Sequence, residues 1–137
     1  MAVNVQFSIA VHIMAGLAYR RGRSATSAEL AASVNTSASF VRRTLARLSK
    51  AGLVGTATGK TGACWLAREP KAISLLDIYR AVDAPRVFAI HHYTEQRACP
   101  VSCHIKDALG GVLSRAQKAM ESRLRGISLA RIVSDLD

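Results

Sequence analysis

Cysteines and histidines are the side chains of this 137-residue sequence that could react with an oxidant or bind a metal ion. Cys99 and Cys103 are four residues apart, and Pro100 between them is typical of the first position of a helix. Cys99 would then cap the helix N-terminus, where the helix dipole and free backbone amides stabilise a thiolate. We therefore expect a thiol sensor in which Cys99 reacts and Cys103 resolves, with Cys64 as a further candidate.

Three alternatives involve the same residues. Because histidine can replace thiolate as a ligand, an iron–sulfur cluster could form at Cys99 and Cys103 with a histidine from the set His91, His92 and His104. Zinc is the second alternative, although a Cys-x3-Cys spacing is a weak signature for it. In the third, the cysteines are structural or incidental. Our expectation is that the chain has no bound metal or cofactor.

Binding of a polyanion is the second chemistry that the sequence favours. The chain has 19 Lys and Arg against 9 Asp and Glu, for a net charge of +10. Residues 1–70 hold nine basic and two acidic residues (+7), whereas residues 71–137 hold ten and seven (+3). The N-terminal half should therefore meet the polyanion, and its short polar side chains and arginines suit DNA bases and phosphates. The candidate DNA-contacting residues are Thr26, Ser27, Ser37, Ser39, Phe40, Arg42, Arg43, Arg47 and Lys60.

Three predicted helices position these residues. Apolar spacing predicts a first helix over about Asn4–Tyr19, with His12 on its apolar face as a buried core residue. Thr26 and Glu29 form a capping box that opens a short second helix over Ser27–Ser33. Ser37 caps a third helix. The buried side of this third helix should carry Phe40, Val41, Thr44, Leu45 and Leu48.

The segment after the third helix predicts a β-hairpin. Two β-prone runs, Leu53-Val54 and Cys64–Leu66, flank a loop of small residues. The predicted elements follow the order of a winged helix-turn-helix: helix, short helix, turn, helix and hairpin. The last helix of this motif enters the major groove of DNA. Ser74 then predicts a fourth helix over Leu75–Val82.

A long helix dominates the second half of the chain. Apolar residues recur at three- and four-residue steps from Val101 to Leu124, which predicts a helix over Pro100–Arg125, about 39 Å long. Because the head is too small to cover this face, we expect a homodimer. A short helix begins at Ser128. The candidate interface residues are Val101, Ile105, Ala108, Val112, Ala116 and Ala119.

The expected fold class is mainly α: a winged helix-turn-helix with a two-stranded β-hairpin wing and a long C-terminal dimerisation helix. Residues 1–83 form the DNA-binding domain, residues 84–99 a connector without clear periodicity, and residues 100–137 the dimerisation helix and a short C-terminal helix. The start of the chain lacks a signal-peptide pattern and the number of cysteines is odd, so we expect a cytoplasmic protein with reduced thiols and no membrane partner.

The chain also resembles a known family of bacterial regulators over nearly its whole length. The resemblance is carried by Ser37–Leu45, Leu48–Val54, Gly59–Arg68, Ile73–Val82 and Ile127–Ala130. These segments resemble the IscR/NsrR/CymR regulators, the Rrf2 family. The resemblance implies a transcriptional regulator, expected to be a repressor, that binds a dyad-symmetric operator as a homodimer through its third helix and wing.

The sequence departs from the family pattern in two places, the wing and the cysteines before the long helix. Family wings usually have Arg-Gly before the loop and Gly-Gly-Tyr after it, whereas this chain has Thr58-Gly59 and Gly62-Ala63-Cys64, with Lys60 between them as a replacement charge. Some members bind an iron–sulfur cluster through three cysteines before the long helix, and this chain has two there.

Other classes of function compete with a regulator. A protein-interaction module built on the long helix alone is the alternative, and it would show no affinity for duplex DNA. We do not expect an enzyme, because the sequence has no paired carboxylates, Gly-rich phosphate loop or nucleophile–base set.

Overall fold

The computed structural model describes residues 4–57 and 62–136. It contains two compact units, a head (Met1–Ala84 with Leu124–Asp137) and an arm (Pro85–Arg123). The expected fold class is confirmed, since the described residues are mainly helical and include one small antiparallel sheet. In chain order the elements are α1 (Gln6–Tyr19), β1 (Ala25–Thr26), α2 (Ser27–Val34), α3 (Ala38–Lys50), β2 (Val54–Thr56), β3 (Ala63–Leu66), a 3-10 turn (Pro70–Ala72), α4 (Leu75–Ala81), α5 (Pro100–Arg125) and α6 (Leu129–Ser134).

The first helix forms the centre of the head. Ile13, Met14 and Leu17 of α1 are completely or almost completely buried, and they recur at the three- and four-residue steps of one helix face. The prediction that His12 is buried is wrong. Its ring is exposed and its Nε2 lies 3.0 Å from the hydroxyl of Ser33, because His12 lies on the side of α1 that is next to α2.

The sheet has three strands in the order β1-β3-β2, and both pairs are antiparallel. The predicted hairpin of β2 and β3 is confirmed, and Val54 lies opposite Leu66. The strand β1 was not predicted. Ala25 pairs with Cys64 there, but two residues are too few to show the alternation by which a strand is recognised.

The last helix packs into the head. The amide of Leu129 donates to the carbonyl of Ile73 at 2.8 Å, and the amide of Leu75 donates to the carbonyl of Ile127 at 2.9 Å. Leu129 is completely buried. The structure therefore differs from the sequence-based division, which grouped this helix with the dimerisation helix. These backbone hydrogen bonds join residues more than 50 positions apart, and no local pattern predicts them.

The arm consists of α5 as far as Arg123 and an extended connector that runs along it. The amide of Val87 donates to Oε1 of the buried Gln117 at 3.1 Å. The hydroxyl of Tyr93 donates to the carbonyl of Ser102 at 2.8 Å, and the amide of Gln96 donates to the hydroxyl of the same serine at 2.8 Å. The connector, which the sequence left unassigned, is thus attached to α5 by hydrogen bonds along its length.

Candidate nucleic-acid interface

The candidate interface begins with α3. Its first turn is capped as predicted, because the Ser37 hydroxyl accepts a hydrogen bond from the amide of Phe40 at 3.1 Å. Val41, Thr44, Leu45 and Leu48 are buried, as expected, whereas Phe40 is only partly buried. The opposite side of α3 is exposed, and α3 contains four basic residues and no acidic one. This helix therefore presents a positively charged side to solvent.

Two arginines on the exposed side are held by neighbouring residues of the same helix. Nη2 of Arg42 donates to the hydroxyl of Ser39 at 3.2 Å. The guanidinium of Arg43 lies over the ring of Phe40, 5.5 Å from its centroid, which is the geometry of a cation–π contact. Both contacts restrict the side chains while leaving them exposed. The guanidinium groups are then partly ordered before any ligand binds.

Arg47 lies in a different environment. Its Nη1 donates to the backbone carbonyl of Val82 at 3.0 Å, and Val82 directly follows the last residue of α4. Arg47 therefore contacts another helix of the head, although its sequence position suggested a DNA contact.

The start of α2 is organised by the predicted capping box. The Thr26 hydroxyl accepts from the amide of Glu29, and Oε1 of Glu29 accepts from the amide of Thr26. Arg20 adds an ion pair to Glu29 at 2.7 Å. The Arg20 guanidinium, and after it the Thr26 hydrogen bonds, lower the pKa of the Glu29 carboxyl below its ordinary value. The side chains of Thr26 and Glu29 are thus already paired, and Ser27 is buried.

Sequence reasoning missed Arg20 as part of this network. It lies nine residues before Glu29, at the end of α1, outside the four-residue window in which a capping box is recognised. Only the turn between α1 and β1 brings the two side chains together, and no sequence spacing signals that turn's direction.

The wing is described except for its tip. Lys60, the predicted basic residue of the wing, lies outside the described residues. Trp65 on β3 is 37% exposed and lies directly opposite Gly55 of β2. A Cβ atom at Gly55 would come within 2.4 Å of the indole Nε1, so the absence of a side chain there allows Trp65 to cover the hairpin.

Cys64 is a core residue. Its side chain is completely buried, and its thiol donates to the carbonyl of Ala25 at 3.2 Å. Burial raises the pKa of the Cys64 thiol, which disfavours the reactive thiolate. The structure therefore argues against Cys64 as a sensing residue, in contrast to its place among the sequence candidates.

Cys99 and Cys103 lie together at the start of α5. The Cys99 sulfur accepts from the amide of Ser102 at 3.4 Å, so it occupies the predicted capping position. The Cys103 thiol lies 3.5 Å from the carbonyl of Gln96, which also accepts from the amide of Cys99. Both cysteines are partly exposed and neither forms a disulfide. The pair is accessible to a solvent-borne oxidant, unlike Cys64.

The residues that the structure describes do not fit a metal or cluster site. Across residues 4–57 and 62–136, no three His, Cys, Asp or Glu side chains are grouped so that they could hold a metal ion. The cluster alternative needs Cys99 and Cys103 together with at least one of His91, His92 and His104, and the structure does not assemble such a set.

The apolar side of α5 is left uncovered by residues 4–57 and 62–136 of its own chain. Val101 is 66% exposed and Val112 51% exposed. The remaining candidate interface residues are exposed as well: Ile105, Ala108, Ala116 and Ala119. None of the helices within the described ranges is long and apolar enough to cross a membrane.

Comparisons with known proteins agree with this architecture. The Rrf2 family model, described as "Iron-dependent Transcriptional regulator", matches residues 3–135. A protein of Bacillus subtilis, "Putative HTH-type transcriptional regulator YwnA", is 35% identical over 136 residues, which are 98% of each chain.

Two solved structures are similar along nearly the whole chain. The crystal structure of "a putative DNA binding protein" is 32% identical, with a TM-score of 0.72 over 93% of this chain and 97% of that one. CymR (YrzC), the global cysteine regulator of B. subtilis, is 23% identical, with a TM-score of 0.72 over 100% and 99% of the two chains. At that identity the likeness to CymR shows the fold.

Proposed function

The chain belongs to the Rrf2 family of transcriptional regulators, and we propose that it binds double-stranded DNA as a homodimer through the exposed side of α3. The observation that carries this proposal is the pair of exposed, locally ordered guanidinium groups of Arg42 and Arg43 on a helix without acidic residues. An arginine can contact two acceptor atoms of guanine or clamp a phosphate. Ser37 and Ser39, at the start of the helix, would contact DNA with them.

Two elements flank α3 in this proposal. At the start of α2, the backbone amides beside Thr26 and Ser27 would donate to a phosphate, since the Thr26 and Glu29 side chains are already paired. In the wing, Lys60 would follow the DNA backbone. Phe40 takes an indirect part, because its ring supports the Arg43 guanidinium. Arg47 is left out, because its guanidinium is bound to the head itself.

The homodimer would form through α5. An exposed apolar side on a helix of 26 residues normally packs against a partner, and a second copy offers the same surface. A two-fold axis would then place the two α3 helices in successive major grooves of a dyad-symmetric operator. The interface would comprise Val101, Ile105, Ala108, Val112, Ala116 and Ala119.

We further propose a cytoplasmic repressor whose DNA affinity responds to thiol oxidation. A dimer bound across an operator excludes other proteins from the same stretch of DNA, which is the basis for repression. The thiol response is favoured by the partly exposed Cys99 at the start of the dimerisation helix, with Cys103 one turn further on. Oxidation there would alter the helix start and thus the dimer, without touching a DNA-contacting residue.

The experiment is to select a binding sequence from a random duplex library with the full-length protein, and then to measure affinity by fluorescence anisotropy. Replacing Arg42 or Arg43 with Ala should weaken binding by about 1–3 kcal/mol if the residue contacts a base, and should reduce the salt dependence if it contacts a phosphate. Arg131→Ala, an exposed arginine of α6, is the matched control for loss of one charge. Unchanged binding in both α3 variants would refute the interface, and failure to select any duplex would favour the interaction-module alternative.

A further inference from the structure

Arg42 and Arg43 are held by two different kinds of contact, and the difference decides which donors each contact uses. Nη2 of Arg42 donates to the hydroxyl of Ser39 at 3.2 Å, so one of its N–H groups is already engaged. Arg43 is held through the face of its guanidinium, 5.5 Å from the centroid of the Phe40 ring. A guanidinium has its N–H donors in its own plane, so a contact through the face uses none of them.

Phe40 is a firm support for the Arg43 guanidinium. Its amide donates to the Ser37 hydroxyl at 3.1 Å, and its carbonyl accepts from the hydroxyl of the buried Thr44 at 3.0 Å. Its side chain is partly buried against the head. The backbone of Phe40 is therefore fixed on both sides, and the ring can keep its place when the arginine binds a ligand.

The two arginines also point in different directions. Consecutive residues lie about 100° apart around a helix axis. A helix in the major groove has base edges below it and a phosphate backbone at each side, so one of two adjacent arginines can face the bases while the other faces a backbone. The Ser39 hydroxyl accepts from Arg42 and keeps its own proton to donate, so these two neighbouring groups together suit a phosphate.

We infer that Arg43 contacts a guanine and determines the base preference, with Phe40 as its positioning residue, whereas Arg42 and Ser39 bind a phosphate without base preference. The inference rests on the proposed function, since it divides the DNA contacts of α3 between two arginines. A complete fork of donors matches the O6 and N7 acceptors of guanine. A guanidinium with one donor engaged still offers its charge and further N–H groups to a phosphate.

The experiment uses the full-length protein with a duplex selected by the parent from a random library, all single base-pair substitutions of that duplex, and an unrelated duplex. The variants are Arg42→Lys, Arg43→Lys, Arg42→Met and Arg43→Met. Lysine keeps the charge and removes the fork of donors, whereas methionine removes the charge and keeps an unbranched side chain. Both arginines are exposed and adjacent on one helix, so each is the matched control for the other.

The two lysine variants should differ in base preference. Arg43→Lys should lose about fivefold to 150-fold in affinity for each half-site of the selected duplex, which is the range of one bidentate contact with a base. It should no longer distinguish guanine at one position, and it should keep the salt slope of the parent because its charge is unchanged. Arg42→Lys should stay within about threefold of the parent on every duplex, because an ammonium group also binds phosphate.

The two methionine variants separate charge from base preference. Arg42→Met should weaken binding to all duplexes by the same factor, including the unrelated one. It should also lower the slope of log affinity against log salt by about one for each half-site. Arg43→Met should lose the guanine preference as Arg43→Lys does.

Two variants of Phe40 test its positioning role. Phe40→Leu removes the ring and should lower the preference for guanine at that position by about twofold to fivefold, the factor that corresponds to one exposed cation–π contact. Its affinity for the unrelated duplex should equal that of the parent. Phe40→Tyr keeps the ring and should keep the full preference. A purely structural role would instead weaken binding of Phe40→Leu to all duplexes by the same factor, which would overturn the positioning role.

Four further results would overturn the inference. If Arg42→Lys loses the base preference and Arg43→Lys keeps it, the two roles are reversed. If both lose it, the roles are not divided, and if neither loses it, both arginines bind phosphates. These three results leave the proposed function intact. If the parent selects no duplex, the proposed function itself fails and the inference falls with it.

Discussion

An aspartate at Val112 is the sharpest perturbation of the proposed homodimer. Val112 is 51% exposed in the single chain, near the middle of α5. Complete burial of a valine side chain contributes about 1.5–3 kcal/mol, so covering its exposed half contributes about 1 kcal/mol per protomer and about 2 kcal/mol per dimer. Val112→Asp removes this contribution and leaves carboxylates to be desolvated, which costs about 1–3 kcal/mol or more for a polar group without a partner.

The two effects together should weaken the dimer by at least about 4 kcal/mol, which corresponds to about a thousandfold increase in its dissociation constant. Sedimentation equilibrium at micromolar concentration should show a dimer for the parent and a monomer for Val112→Asp. Affinity for the full operator should fall in parallel, because a monomer contacts one half-site. A parent that sediments as a monomer, or a variant that dimerises like the parent, would refute the assignment of this surface.

A control on the same helix separates the interface from a general effect of negative charge. Lys118 is exposed and lies six residues after Val112, about 120° away around the helix axis. Lys118→Asp changes the net charge more than Val112→Asp does. It should nevertheless leave the dissociation constant of the dimer within about threefold of the parent, since surface charges contribute little.

Three further predictions concern the head. Gly55→Ala should displace the indole of Trp65, the sole tryptophan, and shift its fluorescence emission to the red. It should also lower the free energy of unfolding by about 1–3 kcal/mol. Unchanged fluorescence emission would contradict the hairpin packing. Because Arg20 lowers the pKa of Glu29 below its ordinary 4.5, the ionised carboxylate stabilises the fold above that pH, and the stabilisation is lost as the pH falls through the lowered value. Glu29→Gln should therefore flatten this acid-side decline in chemical denaturation, and an unaltered pH profile would count against the ion pair. Cys64 should react with iodoacetamide at least about tenfold more slowly than the two cysteines at the start of α5, as measured by peptide mass spectrometry; equal rates would show that the core opens there.

Elements whose signals lie within a few residues of each other were predictable from the sequence. The capping box at Thr26, the serine cap at Ser37 and the proline that begins α5 all act within one helical turn, so their sequence pattern and their structural effect coincide. The buried residues of α3 follow from helical spacing for the same reason. The exposed positions of Arg42 and Arg43 then follow as the remainder of that helix.

Contacts between elements far apart in the sequence were not predictable in this way. Spacing placed Arg47 on the side of α3 with the other arginines, but its hydrogen bond to Val82 depends on where α4 packs. The burial of Cys64 depends likewise on β1, which covers the sheet edge beside it. In both cases the residue type suggested a chemistry that the local environment changes.

The connector shows why a segment without clear sequence periodicity can still have a defined structure. Three connector residues at three-residue steps meet α5 in turn: Val87 at Gln117, Ile90 at Gly110 and Tyr93 at Ser102. Each step of three residues along the extended connector therefore corresponds to seven or eight residues along the helix. Three extended residues span about 10 Å and seven helical residues about 10.5 Å, so the two lengths match. The contacts therefore repeat every three residues along the connector and every seven or eight residues along α5. A search of the sequence for a single periodicity cannot detect such a match.

The position of the connector also bears on the dimer. Gly110 and Gln117 lie about 160° and 140° around α5 from Val112, so the connector runs along the side opposite the apolar one. Within the arm, the chain thus covers one side of α5 with its own backbone and leaves the side around Val112 exposed. A helix of this length with one side covered and the other apolar needs a partner from outside the arm. In the proposed homodimer, a second copy would supply that surface with the two-fold symmetry that a dyad operator requires.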